Sequence, residues 1–456
     1  MRVNTSIFRE YDIRGIVDKD LTQDLAYHLG RALGTLMRRK ELTSVTVGRD
    51  CRPSGAWLAQ GLKAGYLASG ITVLDIGVVP TPLQYYSMHY FNTQGGVQIT
   101  GSHNPPEYNG FKISMGQGTM HGDDIRNLAT LIQQERYDDA QGVWCSVDTV
   151  RPYMLENLEN LRLGPKKLKV VVDAGNGTAG PFGPELYRRL GCEVIELYCD
   201  MDARFPNHHP DPTVEENMID LQKAVKKHKA DLGIAFDGDG DRIGVVDEKG
   251  QIIWGDRLMI LLAREVLKDR PGAAIVGEVK CSQTLYDDIT KHGGQAIMWK
   301  AGHSLIKAKM KETKAELAGE MSGHIFFKHK YYGFDDALYT GGRLLEILSN
   351  TKLPLSKLFT DVPTTFATPE LRVDCEEEEK FALVKRAQEH FRKKHKTVDV
   401  DGVRILFDDG WGLIRASNTQ PILVLRFEAQ SEKRLKEIRS YVERELASLR
   451  ESVAVA

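Results

Sequence analysis

Three times in succession the chain repeats one grammar: strand-length apolar runs alternate with helical stretches, and the last run breaks into a polar, glycine-bearing loop. In the first round Ser44-Val45-Thr46-Val47 ends in Gly48-Arg49-Asp50, a helix follows near Ser54 to Ser69, and Thr72 to Gly77 forms a second strand. Gly96-Val97-Gln98-Ile99 then delivers Thr100-Gly101-Ser102-His103-Asn104-Pro105. In the second round Leu168 to Val172 ends in Asp173-Ala174-Gly175-Asn176-Gly177, and Leu232 to Phe236 delivers Asp237-Gly238-Asp239-Gly240-Asp241-Arg242. The third begins with Ala273 to Val276, passes through Ala296 to Trp299 into Lys300-Ala301-Gly302-His303, and closes with Ala315 to Ala318 delivering Gly319-Glu320-Met321-Ser322-Gly323-His324. Strands alternating with helices predict mainly parallel sheets covered by helices. Ligands of such sheets bind beyond the carboxyl ends of the strands, so three units facing one another would pool these loops in one cleft.

An earlier helix, Leu21 to Arg39, carries Leu25, Leu29, Leu33 and Met37 on one face. The last segment reads differently. A charged helix opens at Glu376-Glu377-Glu378-Glu379, strands run over Gly402 to Phe407, Gly412 to Ala416 and Pro421 to Ala429, and a helix closes the chain from Ser431 to Leu449. At 456 residues the chain exceeds one hydrophobic core, and the predicted domains are 1–148, 149–250, 251–364 and 365–456. A hinge is expected near Thr364 to Glu370, flanked by Pro363 and Pro369.

The side chains in these loops suggest chemistry. Asn104-Pro105-Pro106 cannot continue as helix, which predicts a stiff, exposed loop for Ser102. Ser-His alone is more readily a turn in which both side chains cap backbone groups. The second loop changes the balance: three carboxylates at alternate positions repel one another unless a cation sits among them, and an oxygen-only set suits a hard divalent ion such as Mg²⁺. Arg415-Ala416-Ser417-Asn418-Thr419 offers a guanidinium, two hydroxyls and an amide that could grip a phosphate, or an ordinary Asn-Thr turn. A net charge of −2 gives no basic excess for nucleic acid. The first ten residues lack the apolar core of a signal peptide, and no apolar run is long enough to span a bilayer. A cytoplasmic protein is expected. Six scattered cysteines without a CxxC pair predict reduced thiols, neither a disulfide framework nor a zinc site.

Together the serine and aspartate loops resemble the phosphoserine and metal loops of the α-D-phosphohexomutases. Tyr11-Asp12-Ile13-Arg14-Gly15, Asp173 to Gly177, Phe205-Pro206-Asn207-His208-His209-Pro210-Asp211-Pro212, Gly319 to His324, Tyr332-Gly333-Phe334-Asp335-Asp336 and Arg415 to Thr419 match that family in order. The resemblance implies three similar α/β domains and a C-terminal α+β, TATA-binding-protein-like domain around a central cleft. It implies reversible transfer of phosphate between O1 and O6 of mannose and glucose phosphates through a hexose 1,6-bisphosphate, which also serves as activator. Ser102 would carry the phosphoryl group, and one Mg²⁺ per chain would be held by Asp237, Asp239, Asp241 and a phosphoserine oxygen. Lys112, held by an Asn109-Gly110-Phe111 turn, and His103 are candidate proton carriers, with His303 a third. Arg242 either offsets the acidic loop or orients Ser102 and the phosphate. Lys280 is a surface lysine or a cleft cation, and Tyr11 and Arg14 form a packed arm or approach the reacting centre.

Glu320 and Ser322 can bond adjacent sugar hydroxyls, and His324 sugar or phosphate; a loop reading O3 and O4 but not O2 would accept both mannose and glucose. Glu320-Met321-Ser322 resembles the loop of dual-specificity phosphomannomutase/phosphoglucomutase enzymes. Phosphoglucosamine mutase is the nearest alternative. A Mg²⁺-dependent phosphatase with Asp237 as nucleophile, or a phosphosugar-binding scaffold without chemistry, are the others. A monomer is expected, with a dimer as the alternative.

Overall fold

The computed structural model describes residues 1–116, 118–417 and 420–454. Asn418 and Thr419, expected in the phosphate loop, lie outside the described residues. Four sheets are formed among those residues. The first runs, in spatial order, Ile13–Ile16, Tyr108–Met115, Gly95–Ile99, Ser44–Arg49, Thr72–Val78, Trp144–Ser146. The second is Ile252–Ile253, Ile243–Asp247, Leu232–Phe236, Lys169–Asp173, Glu193–Leu197, and the third Gln295–Trp299, Ala274–Glu278, Leu317–Gly319, Ile325–Phe327.

In all three the strand that delivers the polar loop lies parallel to its neighbour on one side and is followed by a strand that returns antiparallel on the other. Each functional loop is therefore the connection between an outgoing and a returning strand, which fixes both of its ends by ladder hydrogen bonds. The return strand Tyr108–Met115 corrects one expectation: Asn109, Gly110 and Phe111 are not a turn but pair with Gly15, Arg14 and Ile13. Its extended backbone aims Lys112 into the cleft, because Phe111 on the opposite face belongs to the apolar core.

The helix Gln23–Arg39 buries Leu25, Leu29, Leu33 and Met37 and is capped by Thr22, whose hydroxyl accepts from the Leu25 amide at 3.1 Å. The second and third sheets share one apolar interior, which also takes in Tyr85 and Tyr86 of the helix Thr81–Tyr90 and Tyr153 of the helix Val150–Asn160.

The fourth sheet is antiparallel throughout. It runs Phe366–Ala367, Ile422–Ala429, Gly410–Ala416, Val403–Phe407, Lys396–Val398, with Leu371–Asp374 also on Ile422–Ala429. Helices Lys380–Arg392 and Glu432–Ala454 cover one face. The other face presents Trp411 and Leu413 to Val279, at the end of a third-sheet strand. Arg404, fully buried over the Trp411 ring at 3.7 Å, donates to the carbonyls of Val279 and Cys281 at 2.7 and 2.8 Å.

Candidate active site

Ser102 is not exposed as the loop chemistry suggests: it is 2% accessible, roofed by the aspartate loop. Gly238 passes so close that a Cβ there would collide with the Ser102 carbonyl, which explains a glycine between the first two aspartates. The Ser102 hydroxyl donates to Asp237 Oδ2 at 2.9 Å and lies 3.1 Å from His103 Nδ1.

Asp237, Asp239 and Asp241 are fully buried, with ligand oxygens all within 4.8 Å of one another. Lys112 bridges Asp239, at 2.8 Å, and Asp241. Asp239 also accepts from the Thr81 hydroxyl at 2.5 Å, and Asp237 Oδ1 accepts from the amides of Asp241 and Arg242, both at 3.1 Å. One oxygen each of Asp239 and Asp241 is buried without a donor, a costly state that a cation would relieve. An all-oxygen set with two buried lone oxygens fits a hard divalent ion.

The electrostatics divide the three carboxyls. Burial, followed by Asp239 and Asp241, pushes Asp237 well above the usual carboxylate range. Burial acts the same way on Asp239 but is outweighed by Lys112, which holds that group below its ordinary value. Lys112 is correspondingly raised, the pull of Asp239 and Asp241 exceeding its desolvation. It is therefore a fixed cation. Burial and then Arg242 and Arg14 hold His103 well below its ordinary value, so its imidazole is neutral.

Further residues converge on the same centre. Arg14 donates to the Gly101 carbonyl at 3.2 Å and to Asn104 Oδ1 at 2.8 Å, bracing the serine loop. Arg242 donates from Nε to His324 Nε2 at 3.0 Å, and His324 Nδ1 lies 2.9 Å from Asp335 Oδ2. His303 opens the helix His303–Thr313, with its ring 5.7 Å from that of His324 and 6.1 Å from that of Tyr11. Burial and then Lys307 lower His303 well below its ordinary value.

The remaining candidates form a second group a short way along the cleft. Glu320 Oε1 accepts from the Gly302 amide at 2.6 Å, and Tyr11 donates to the Ala301 carbonyl at 2.9 Å. Ser322 is half-buried on the turn closed by Gly323 N to Glu320 O at 3.1 Å. Lys280 pairs with Glu370 at 3.1 Å, across to the fourth sheet's segment. Arg415 is paired with Asp401 at 3.0 Å, and the same Asp401 oxygen accepts from the Ala301 amide at 3.1 Å. Ser417 Oγ accepts from the Gln420 amide at 3.2 Å.

The sequence reading missed Thr81, Asp335 and Glu278. Glu278 is fully buried, accepts from the Met321 amide at 3.1 Å, lies 3.6 Å from Lys280, and is pushed up to about 7 by burial. Asp335 stands in the Tyr332-to-Asp336 motif and could have been found there; Thr81 carries no local signal.

The whole chain has known counterparts. Residues 5–138, 152–250 and 254–366 match the family descriptions "Phosphoglucomutase/phosphomannomutase, alpha/beta/alpha domain" I, II and III, and 370–445 matches the C-terminal domain of the same family. A phosphomannomutase/phosphoglucomutase of Pseudomonas putida is 48% identical over 95% of this chain and 94% of its own. A phosphoglucomutase of Neisseria meningitidis is 45% identical over 95% of each. The crystal structure of a phosphoglucomutase/phosphomannomutase family protein from Burkholderia thailandensis superposes with a TM-score of 0.94 at 43% identity, covering 98% of both chains. With every domain matched in order and a buried serine set against an acidic triad, this chain belongs to the phosphoglucomutase/phosphomannomutase family.

Proposed function

We propose that the protein interconverts the 1- and 6-phosphates of mannose and of glucose, with Ser102 as the phosphoryl carrier and a hexose 1,6-bisphosphate as intermediate and activator. The observation that carries this reading is the buried Ser102 hydroxyl, 2.9 Å from Asp237 at the mouth of a three-carboxylate cluster. The names of the relatives favour mannose and glucose over glucosamine phosphate.

Asp237, Asp239, Asp241 and an oxygen of phosphorylated Ser102 would hold one Mg²⁺, which supplies electrostatic stabilisation of phosphoryl transfer when bound. Lys112, kept charged by its carboxylates, serves as a cation beside the transferred group, while the neutral His103 imidazole can take the serine proton. Arg242, oriented by His324, and Arg14 face the same phosphate. His303, beside Tyr11 and His324, stands ready for the sugar hydroxyl's proton. Glu320 and Ser322, with His324, would read the sugar hydroxyls. Lys280, Arg415, Ser417, Asn418 and Thr419 would hold the non-reacting phosphate. We divide the chain at 1–148, 149–250, 251–364 and 365–456, and assign it to the cytoplasm as a monomer.

The test is a coupled assay of mannose 1-phosphate and glucose 1-phosphate with Mg²⁺ and a trace of hexose 1,6-bisphosphate, comparing wild type with Ser102→Ala. Turnover of both sugars, reduced by at least about 10³-fold in the variant, is expected. Release of free phosphate that survives S102A would replace this mechanism with an Asp237 phosphatase.

A further inference from the structure

The turn Asp50-Cys51-Arg52, at the end of the strand Ser44–Arg49, supplies no group to the reaction proposed above, yet both of its charged side chains are only 2% exposed. Arg52 uses its whole fork. Its Nε donates to Asp50 Oδ2 at 3.2 Å, Nη1 to the Pro105 carbonyl at 2.7 Å, and Nη2 to the carbonyls of Ser102 at 3.1 Å and Asn104 at 2.5 Å. Asp50 holds the other side of the same loop, accepting from the Thr100 hydroxyl at 2.8 Å and the Gly101 amide at 3.0 Å. Thr100 Oγ1 in turn accepts from the Ser102 amide at 2.8 Å. Ser102 is thus gripped through both its amide and its carbonyl.

That grip meets a need. Ser102 has φ +48°, a left-handed conformation that a residue with a side chain adopts at a cost and keeps only where its surroundings over-determine it. The contact is tight enough that a Cβ at Gly101 would run into the Arg52 guanidinium. The turn also reaches the metal loop, because the Cys51 amide donates to Thr178 Oγ1 at 3.0 Å and the Thr178 amide to the Gly238 carbonyl at 2.9 Å.

We infer that Arg52, fixed by Asp50, is a positioning residue: it holds Ser102 in its left-handed conformation and registers the hydroxyl against the aspartate loop. The inference rests on the phosphoserine reading of Ser102. A planar fork that reaches three carbonyls and a carboxylate is a geometry lysine cannot reproduce. The loss of Arg52 should therefore displace the reacting oxygen without altering the residues proposed to bind sugar.

The test uses the full chain as wild type, S102A, R52K and R52A, following turnover of glucose 1-phosphate, thermal denaturation, and phosphate on Ser102 by intact mass. In R52K we expect a lowered melting temperature, because buried carbonyls lose a donor, in a protein still folded at the assay temperature, and a KM within about twofold of wild type. Its kcat should fall about 100-fold, with discharge of phosphoserine to glucose 6-phosphate slowed equally, the effect of a displacement of order 1 Å. R52A should recover part of its kcat with ethylguanidinium and none with ethylammonium. Wild-type kcat in folded R52K or R52A, or a loss residing in KM, overturns the inference; R52K decides alone if R52A does not fold. An S102A variant as active as wild type would strike the phosphoserine reading itself, whereas active R52K beside inactive S102A strikes only the role of Arg52.

Discussion

Lys112 sits where three fully buried carboxylates would otherwise repel one another, bridging Asp239 and Asp241. Removing one partner of a buried ion pair leaves an uncompensated charge and costs about 3–5 kcal/mol. Lys112→Met should therefore destabilise the protein by that order in EDTA and regain much of it in Mg²⁺, because a bound cation takes over the neutralisation. Thermal denaturation with and without Mg²⁺ measures this: the metal-induced rise should be larger in K112M than in wild type, and equal rises would mean that Lys112 does not balance the triad. At this scale the readable residues were those whose chemistry is local, a hydroxyl beside an imidazole and carboxylates alternating with glycines. Thr81 bonds Asp239 from 158 positions away, and no neighbour in sequence betrays it. Glu278 looks like the end of an ordinary strand until Met321, 43 positions on, supplies its partner. The burial of Ser102 was invisible for the same reason, since its roof comes from another unit.

The loop 331–336 and the helices it touches depend on one buried acid. Asp336 caps the helix Ala337–Ser349, accepting from the Tyr339 amide at 2.8 Å, and receives the hydroxyls of Tyr153 at 3.0 Å and Tyr331 at 2.8 Å. It thereby joins the helix Val150–Asn160 to the segment that carries Asp335. Burial pushes Asp336 up to about 6, against an ordinary 3.8. The folded state therefore binds this proton more tightly than the unfolded state. The associated stability is fully present below the ordinary value and is lost as pH rises through about 6. Asp336→Asn keeps a capping oxygen but cannot titrate. Between pH 4 and pH 7 the stability of wild type relative to D336N should fall by roughly 1–3 kcal/mol; parallel pH profiles in denaturation would rule the linkage out. Among elements, the outgoing strands were legible as apolar runs with turn residues behind them. The returning strands were not: Ile325–Phe327 is three residues long, and Tyr108–Met115 carries Asn109-Gly110 just after its first residue, a pair that reads as a turn. Register with the N-terminal strand Ile13–Ile16 overrides that local preference.

At the scale of the molecule, threefold repetition of one grammar was enough to place three loops in one cleft, but the way the fourth sheet closes it is a matter of contacts no pattern encodes. Its firm attachment lies at residues 279–283, between the strand Ala274–Glu278 and the helix Gln283–Lys291, through Trp411, Arg404 and the Glu428 carboxylate that accepts from the Gln283 amide at 3.1 Å. Towards the cleft it is joined by polar ties, Lys280 to Glu370 and the Ala301 amide to Asp401, whose same oxygen pairs within the fourth unit with Arg415. These tie up the very cations proposed to hold a phosphate, so an incoming phosphate competes with Glu370 and Asp401. A bisphosphate that presents first one end and then the other to Ser102, as proposed, would have to leave that grip and re-enter it; the expected hinge could then open only ahead of Phe366–Ala367, which pair with Ala429 and Glu428 of the fourth sheet. A disulfide in the double variant A301C/D401C would hold the cleft shut at the Asp401 tie. Oxidised protein should lose turnover of glucose 1-phosphate by more than about tenfold and recover it with thiol, while single A301C should show no redox response. Loss of Asp401 is common to both redox states of the double variant, so the comparison isolates closure from the missing ion pair. Equal rates in the oxidised and reduced forms, with the disulfide verified by mass, would mean that the intermediate reorients inside a closed cleft and that the ties to Glu370 and Asp401 are static struts.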